Sequence, residues 1–396
     1  MNPLFEALRL KNITFKNRII RSATYEGMAD DSGFPQPQLG DLYARLAAGG
    51  SGAIITGFAF ISREGRAMQP RQCGIDADDK IAPWKAVADR GRGASPDVKL
   101  IMQLSHTGRQ TRAEATGLPV AGVSSKKCTY FRQKVSALGE EGIQRIIREF
   151  AAAAARAKAA GFDGVQVHAA HGYLVHQFLS PWTNTRTDRW AEPELFLLEV
   201  VGAIKAACGP GFPVFVKLSA ADDNTPGIRL ENTIRTVKKL ESSGVEACEI
   251  SYGTMEYALN IIRGAWPIEA ALRINPLFNR LPAIALGFWK LFFLKSHLRR
   301  LIPFGQNYNL AAAVEIKKNT GLPIITVGGL REMQAMSDCV SKHGLAAVSL
   351  CRPLVREPDL PSKFLRGASA SSECTQCNLC TIYCDSDQPL SCRAKR

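Results

Sequence analysis

The stretch Val165–Pro181, VQVHAAHGYLVHQFLSP, holds three of the chain's six histidines and a tyrosine directly after an apolar run. His168 and His171 stand three residues apart, with Tyr173 two further on. A metal site would need acids or another histidine at a ligand spacing nearby, and none is there. Packing alone accounts poorly for two imidazoles and a phenol at one strand end. Paired imidazole donors suit an oxygen that gains negative charge, and a phenol beside them can deliver a proton.

Other residues extend this chemistry. PIITVGGLREM sets Gly328 and Gly329 between a strand and a helix, where backbone N–H groups and a helix N-terminus favour a phosphate. SLCRPLVREPDL follows the next strand and supplies Arg352. Lys217, in FVKLSAADD, either pairs with Asp222 or Asp223 or stabilises negative charge on a cofactor ring. Gln103 can read the same ring through its amide. Of eleven cysteines, six are scattered (Cys73, Cys128, Cys208, Cys248, Cys339, Cys351) and read as small buried apolar residues. Five crowd together: Cys374, Cys377, Cys380, Cys384 and Cys392. In a reducing compartment such crowding favours a metal or cluster over disulfides.

These residues need a scaffold. Strand-like runs at 17–24, 52–60, 98–105, 164–170, 213–220, 247–253, 323–329 and 346–353 alternate with helical patterns. The clearest helix, EEGIQRIIREFAAAAARAKAAG, begins with acids and ends at glycine. Eight alternating units predict an α/β fold, a (β/α)8 TIM barrel, with an open doubly wound sheet as the alternative. In such a barrel, function gathers where strands end. Ser22, Thr24, Gly57, Gln103, His106, His168, His171, Lys217, Ser251, Gly328, Gly329 and Arg352 all fall at or just after candidate strands.

Two segments break the rhythm. The insert 254–308 before strand seven contains an aromatic and basic run, 281–304, expected as a helical lid or as a surface for a membrane or a lipid-like substrate. After the small-residue linker GASASSE comes the cysteine-rich tail. The chain thus reads as a barrel, 1–366, and a tail, 367–396. Its net charge of +14 would suit an anionic partner, but the charge is dispersed and no nucleic-acid module is present, so no nucleic-acid partner is expected. No secretory signal opens the chain and no membrane-length apolar window occurs, so a cytoplasmic location is expected.

The motifs NRIIRSATYEGMADDSG, IMQLSHTGRQ, GFDGVQVHAAHGYLVHQFLSPWTNTRTD, VKLSAADD, ITVGGLR and SLCRPLVREPDLPSKF together resemble the old yellow enzyme family. The nearer likeness is to bacterial NADH:flavin oxidoreductases and the barrel domain of 2,4-dienoyl-CoA reductase. The resemblance implies non-covalent FMN, with Ser22, Ala23, Thr24, Gly57, Gln103 and Lys217 along the flavin. Gly328, Gly329, Cys351 and Arg352 would then hold its phosphate. It implies NAD(P)H as hydride donor and an α,β-unsaturated carbonyl (enone or enoyl) substrate, with His168 and His171 on the carbonyl oxygen and Tyr173 as proton donor. It also implies that Cys374, Cys377, Cys380 and Cys392 bind a [4Fe–4S] cluster or zinc, with Cys384 as a substitute ligand. Such a cluster would call for an external electron-transfer partner, because the FAD and NAD(P) domains of larger relatives do not follow Arg396. A homo-oligomer is expected. RTDRWAEPELFLL departs from the glycine-containing stretch of relatives, and Tyr25 stands at a position where they vary. The competing readings are a flavin-dependent amine dehydrogenase or demethylase, and a membrane-surface binding protein.

Overall fold

The computed structural model describes residues 2–276 and 278–394. Its centre is one closed ring of eight parallel strands. These are β1 (Ile19–Arg21), β2 (Ala53–Ile55), β3 (Lys99–Ser105), β4 (Gly164–Ala169), β5 (Val214–Ser219), β6 (Ala247–Ser251), β7 (Ile324–Val327) and β8 (Ala347–Leu350). Each pairs with its successor, and β8 closes onto β1 through Val348 opposite Ile19. The closed barrel, not the open sheet, is the architecture.

Alternation along each strand explains both faces. On β4, Val165, Val167 and Ala169 join the core beneath the outer helices, while Gln166 and His168 occupy the opposite face. On β5, Val214, Val216 and Leu218 face the helices, leaving Phe215, Lys217 and Ser219 for the interior. The barrel lumen is therefore layered. Its lower layer is apolar: Ile20, Ala53, Ile55, Ile101, Phe215, Ala247, Ile325 and Ala347 form one cluster.

An antiparallel hairpin, Leu8–Arg9 with Thr14–Phe15, stoppers that lower end. Leu8, Ile13 and Phe15 join the cluster, and Phe15 stacks on Phe215 with ring centroids 5.9 Å apart. Burying Phe15 alone is worth about 1.5–3 kcal/mol. A cleft of about 430 Å³ near this end, lined by Lys16, Asp97, Lys99 and Asp163 among others, contains no imidazole or phenol.

The outer layer follows from helical periodicity. The helix Glu140–Ala159 buries Ile143, Ile146, Ile147, Phe150, Ala153, Ala154 and Ala157, an i, i+3, i+4, i+7 stripe. Glu140 and Glu141 open it, and Arg156 and Lys158 close it, matching the helix dipole. The insert forms short helices at Ala258–Ile262, Ile268–Ile274, Ala283–Phe292 and Leu294–Leu298. Among the described residues no helix is long and apolar enough to cross a membrane.

Candidate active site

Above the apolar layer sits a ring of buried polar side chains. Strand register sets Lys217 between His168 on β4 and Glu249 on β6. Glu249, fully buried, accepts hydrogen bonds from Ser22 Oγ and Ser349 Oγ, each 2.5 Å, and from Gln166 Nε2 at 2.9 Å. Lys217 Nζ lies 3.3 Å from Glu249 Oε2 and donates to Ser22 Oγ at 3.0 Å. Burial pushes the Glu249 carboxyl up, but Lys217 and the three donors together hold it below its ordinary value. Two of the three ammonium donors of Lys217 have these partners, which leaves one for a ligand. Gln103 Nε2 donates to Gln166 Oε1 at 2.7 Å, so the ring continues to β3.

The imidazole pair stands at the upper end of β4. The rings of His168 and His171 are 5.0 Å apart and nearly perpendicular, and Tyr173 lies 4.8 Å from His168. Phe58 packs against both His168 and Tyr173. His171 adopts a left-handed backbone, φ 62°, held by Ser219 Oγ on its N–H and by Met255 N and Gln110 Nε2 on its carbonyl. Such a conformation costs a non-glycine residue about 1–3 kcal/mol and needs this support. Gly172 follows with φ 79°, and a Cβ there would come within 2.7 Å of Gln110 Oε1.

His171 Nε2 pairs with Ser251 Oγ at 2.8 Å, and His168 Nδ1 accepts from Ala170 N. The other ring nitrogens, and Tyr173 Oη, have no hydrogen-bond partner among the described residues. Burial first, then neighbouring charge (Lys217 for His168; His168 and then Lys217 for His171), lowers both imidazoles well below their usual range, so they are neutral donors. Burial, then Asp385 and Cys384, raises the Tyr173 phenol, which stays protonated.

The loops after β7 and β8 meet at the same end. Gly328 and Gly329 have φ of 120° and 74°, and Cβ atoms there would collide with Tyr308 and Asn307. The N–H groups of Gly329, Cys351 and Arg352 find no acceptor among the described residues. Free donors converging from two loops fit a phosphate dianion. The Arg352 guanidinium is turned elsewhere, to Arg263 O and Asn378 Oδ1, so its backbone rather than its side chain is free here. Ala23 is half-buried, with its carbonyl 4.0 Å from Cys351 Sγ, and Thr24 Oγ1 bonds Ser22 O. Gly57 donates its N–H to Glu26, whose carboxylate also meets Arg21 at 2.9 Å; a Cβ on Gly57 would collide with Glu26 Oε2. Lys217, Gln103, the bare donors and the glycines thus provide what a phosphate-bearing, electron-rich ring requires, and FMN fits this set.

The tail folds back over the mouth. Leu390 N bonds Glu26 O, and Asn275 Nδ2 bonds Asp385 Oδ2 at 2.6 Å. Burial raises the Asp385 carboxyl above its usual value. Cys374 and Cys380 lie near Arg352, and Cys392 Sγ accepts from Arg356 Nη1 at 3.8 Å. Burial pushes the Cys380 thiol up to about 12. Among the described residues, no three histidine, cysteine or acidic side chains converge to hold a metal ion. The four spaced cysteines share a neighbourhood but form no single-ion site, and no chemistry is routed through them.

Sequence reasoning missed several residues gathered here. Glu249 shows in the sequence only as a lone acid in an apolar strand, with nothing to say which face it takes. Glu26, Phe58 and Asp385 carried no local signal, because they arrive from other loops.

This site, at the upper end of a closed parallel barrel, defines a barrel of the old yellow enzyme type. Residues 3–272 match the NADH:flavin oxidoreductase / NADH oxidase family, and the chain belongs to it. It is similar to the NADH oxidase of Thermoanaerobacter brockii, 29% identical over 96% of this chain and 53% of that protein. Among solved structures, a 2-naphthoyl-CoA reductase in complex with 2-naphthoyl-CoA superposes with a TM-score of 0.81 at 23% identity, over 99% of this chain and 56% of that one. The old yellow enzyme homologue of Zymomonas mobilis gives a TM-score of 0.71 at 22% identity, over 93% and 94%. These structural likenesses concern the fold. The chain spans about half the length of the first two proteins.

Proposed function

We propose that the chain is an FMN-dependent oxidoreductase that uses NADH or NADPH to reduce the activated C=C bond of an α,β-unsaturated carbonyl compound. The observation that carries this reading is the set of unpartnered polar atoms on three close rings, His168, His171 and Tyr173, at the barrel mouth. Bound FMN supplies the hydride relay between nicotinamide and alkene. Ser22, Gln103 and Lys217 would line its ring, and the N–H groups of Gly329, Cys351 and Arg352 would hold its phosphate.

His168 and His171 hold the carbonyl oxygen and stabilise the charge that develops on it as hydride reaches the β-carbon. Both are neutral, so they act as hydrogen-bond donors and do not protonate the oxygen outright. Tyr173 passes its phenolic proton to the α-carbon. Phe58 and the overlying tail keep water from the reacting atoms. The spacing of Cys374, Cys377, Cys380 and Cys392 supports a [4Fe–4S] cluster as a separate element, tested by iron content of about four per chain after anaerobic purification.

The deciding experiment separates the half-reactions. In Tyr173→Phe, bleaching of the bound flavin by NADH should keep its rate. Its return on adding cyclohexenone should slow by roughly 10²–10⁴. Equal slowing of both, or flavin bleaching by an amine with no response to cyclohexenone, overturns the reading in favour of an amine dehydrogenase.

A further inference from the structure

The insert carries a surface that the proposed chemistry does not use. Nine large hydrophobic residues are exposed among the described residues, and seven of them lie between Leu281 and Leu298. On the helix Ala283–Phe292, Ile284 (88% exposed), Phe288 (58%), Leu291 (76%) and Phe292 (57%) recur at i, i+4, i+7, i+8 and form one outward face. Phe293 and Leu298 continue it onto the next helix. The inner side is different. Trp289 packs against Trp266 and Phe278, and Lys290 pairs with Glu269. This helix is therefore seated by one side and bare on the other.

Charge identifies what the bare side fits. From Ala270 to Val314 the sequence has Arg273, Arg280, Lys290, Lys295, Arg299 and Arg300, and not one acid. Arg280 precedes the apolar row, and Lys295, Arg299 and Arg300 follow it. An exposed apolar face fringed by lysine and arginine is the pattern of a helix lying in a bilayer interface, with aromatics in the acyl boundary and cations at anionic headgroups. A second copy fits poorly, because a two-fold contact sets the same patch against itself and would bring these cations together. No described helix is long and apolar enough to span the membrane, so contact would be peripheral.

The segment is also tied to the working end of the barrel. Asn260 bonds both Arg300 O (3.1 Å) and Asp223 Oδ1 (2.8 Å), and Asp223 sits in the loop after β5. Tyr308 bonds Ile261 O and packs over Gly328.

We infer that the helices at 283–298 dock the protein on an anionic phospholipid bilayer, with the barrel mouth on the membrane-facing side. This inference stands on the patch alone and survives if the proposed reaction is wrong. The test is co-sedimentation of the flavin-loaded protein with vesicles of phosphatidylcholine alone, or of equal parts phosphatidylcholine and phosphatidylglycerol. The protein should bind the anionic vesicles at least roughly tenfold better, and added salt should release it. Ile284→Glu with Leu291→Glu should abolish binding to both. Lys295→Glu with Arg299→Glu should remove only the preference for anionic lipid. Both double variants should retain the flavin spectrum and its bleaching by NADH. No binding of the parent protein, or equal binding by the apolar variant, overturns the proposal. A concentration-dependent dimer in light scattering, lost in the apolar variant without any vesicle binding, would instead assign the face to chain–chain contact.

Discussion

Two histidine environments lie within one short segment and differ in what surrounds them. His176 is buried with its Nε2 at 3.3 Å from Asp222, whose carboxylate also accepts from the N–H groups of Asn224 and Ile228. That pair ties the helix Leu174–Leu179 to the loop after β5. His168 and His171 have no carboxylate partner, and each keeps a ring nitrogen free toward the mouth. The same side chain serves as a tether in one place and as a donor awaiting a ligand in the other. The difference lies in whether a neighbouring strand end supplies an acid.

This contrast can be broken in four ways. His171→Ala should cost the largest effect, a loss on the order of 10²–10³ in the alkene half-reaction, read by stopped-flow, with little change in melting temperature. Asp222→Ala should do the reverse. It strands three donors and lowers stability by about 2–3 kcal/mol in urea unfolding, while turnover changes less than about tenfold. A turnover collapse in a stable Asp222→Ala protein would place His176 in the reaction. Ser251→Ala removes the hydroxyl that orients His171 and should slow the same half-reaction by about five- to tenfold, equivalent to roughly 1 kcal/mol, with cyclohexenone affinity nearly unchanged.

The smallest expected effect is on pH dependence. Both mouth imidazoles titrate well below the usual histidine range, so they stay neutral from about pH 6 to 8. The alkene half-reaction should be flat across that window, and a break near the ordinary histidine value would show that the site is wetter than described. The tether responds at lower pH. Burial raises the Asp222 carboxyl, but His176 and the backbone donors outweigh this and hold it below its ordinary 3.8. The stability it confers is present above that value and is lost as the pH falls through it toward the depressed one. Acid should therefore weaken the fold in two stages: below the ordinary histidine value the unfolded chain takes up protons that buried His168 and His171 refuse, and below 3.8 the loss of the Asp222 tether adds to it.

Much of this was readable in the chain. The eight strands were legible because Val165, Val167, Val214, Val216 and their counterparts alternate with residues that must face elsewhere, with glycine and polar residues at the strand ends. His168, His171, Tyr173, Gly328 and Gly329 were legible because they cluster where a strand meets its loop. Glu249 was not, since an isolated acid in ACEIS does not say which face it occupies until register pairs it with Lys217. The meeting of Asp385 with Asn275 and Gln69 was not either, because three segments distant in sequence build it. The tail's spacing suggested ligands but gave no sign that the segment also packs over the barrel, with Leu390 N on Glu26 O.

The hairpin stopper has a kinetic corollary. With Phe15 and its neighbours filling one end of the cylinder, the nicotinamide and alkene of the proposed reaction would share the opposite end, where the imidazole pair stands. Each must vacate before the other enters, so steady-state plots should show parallel lines, and a surplus of either reactant should choke the turnover it feeds.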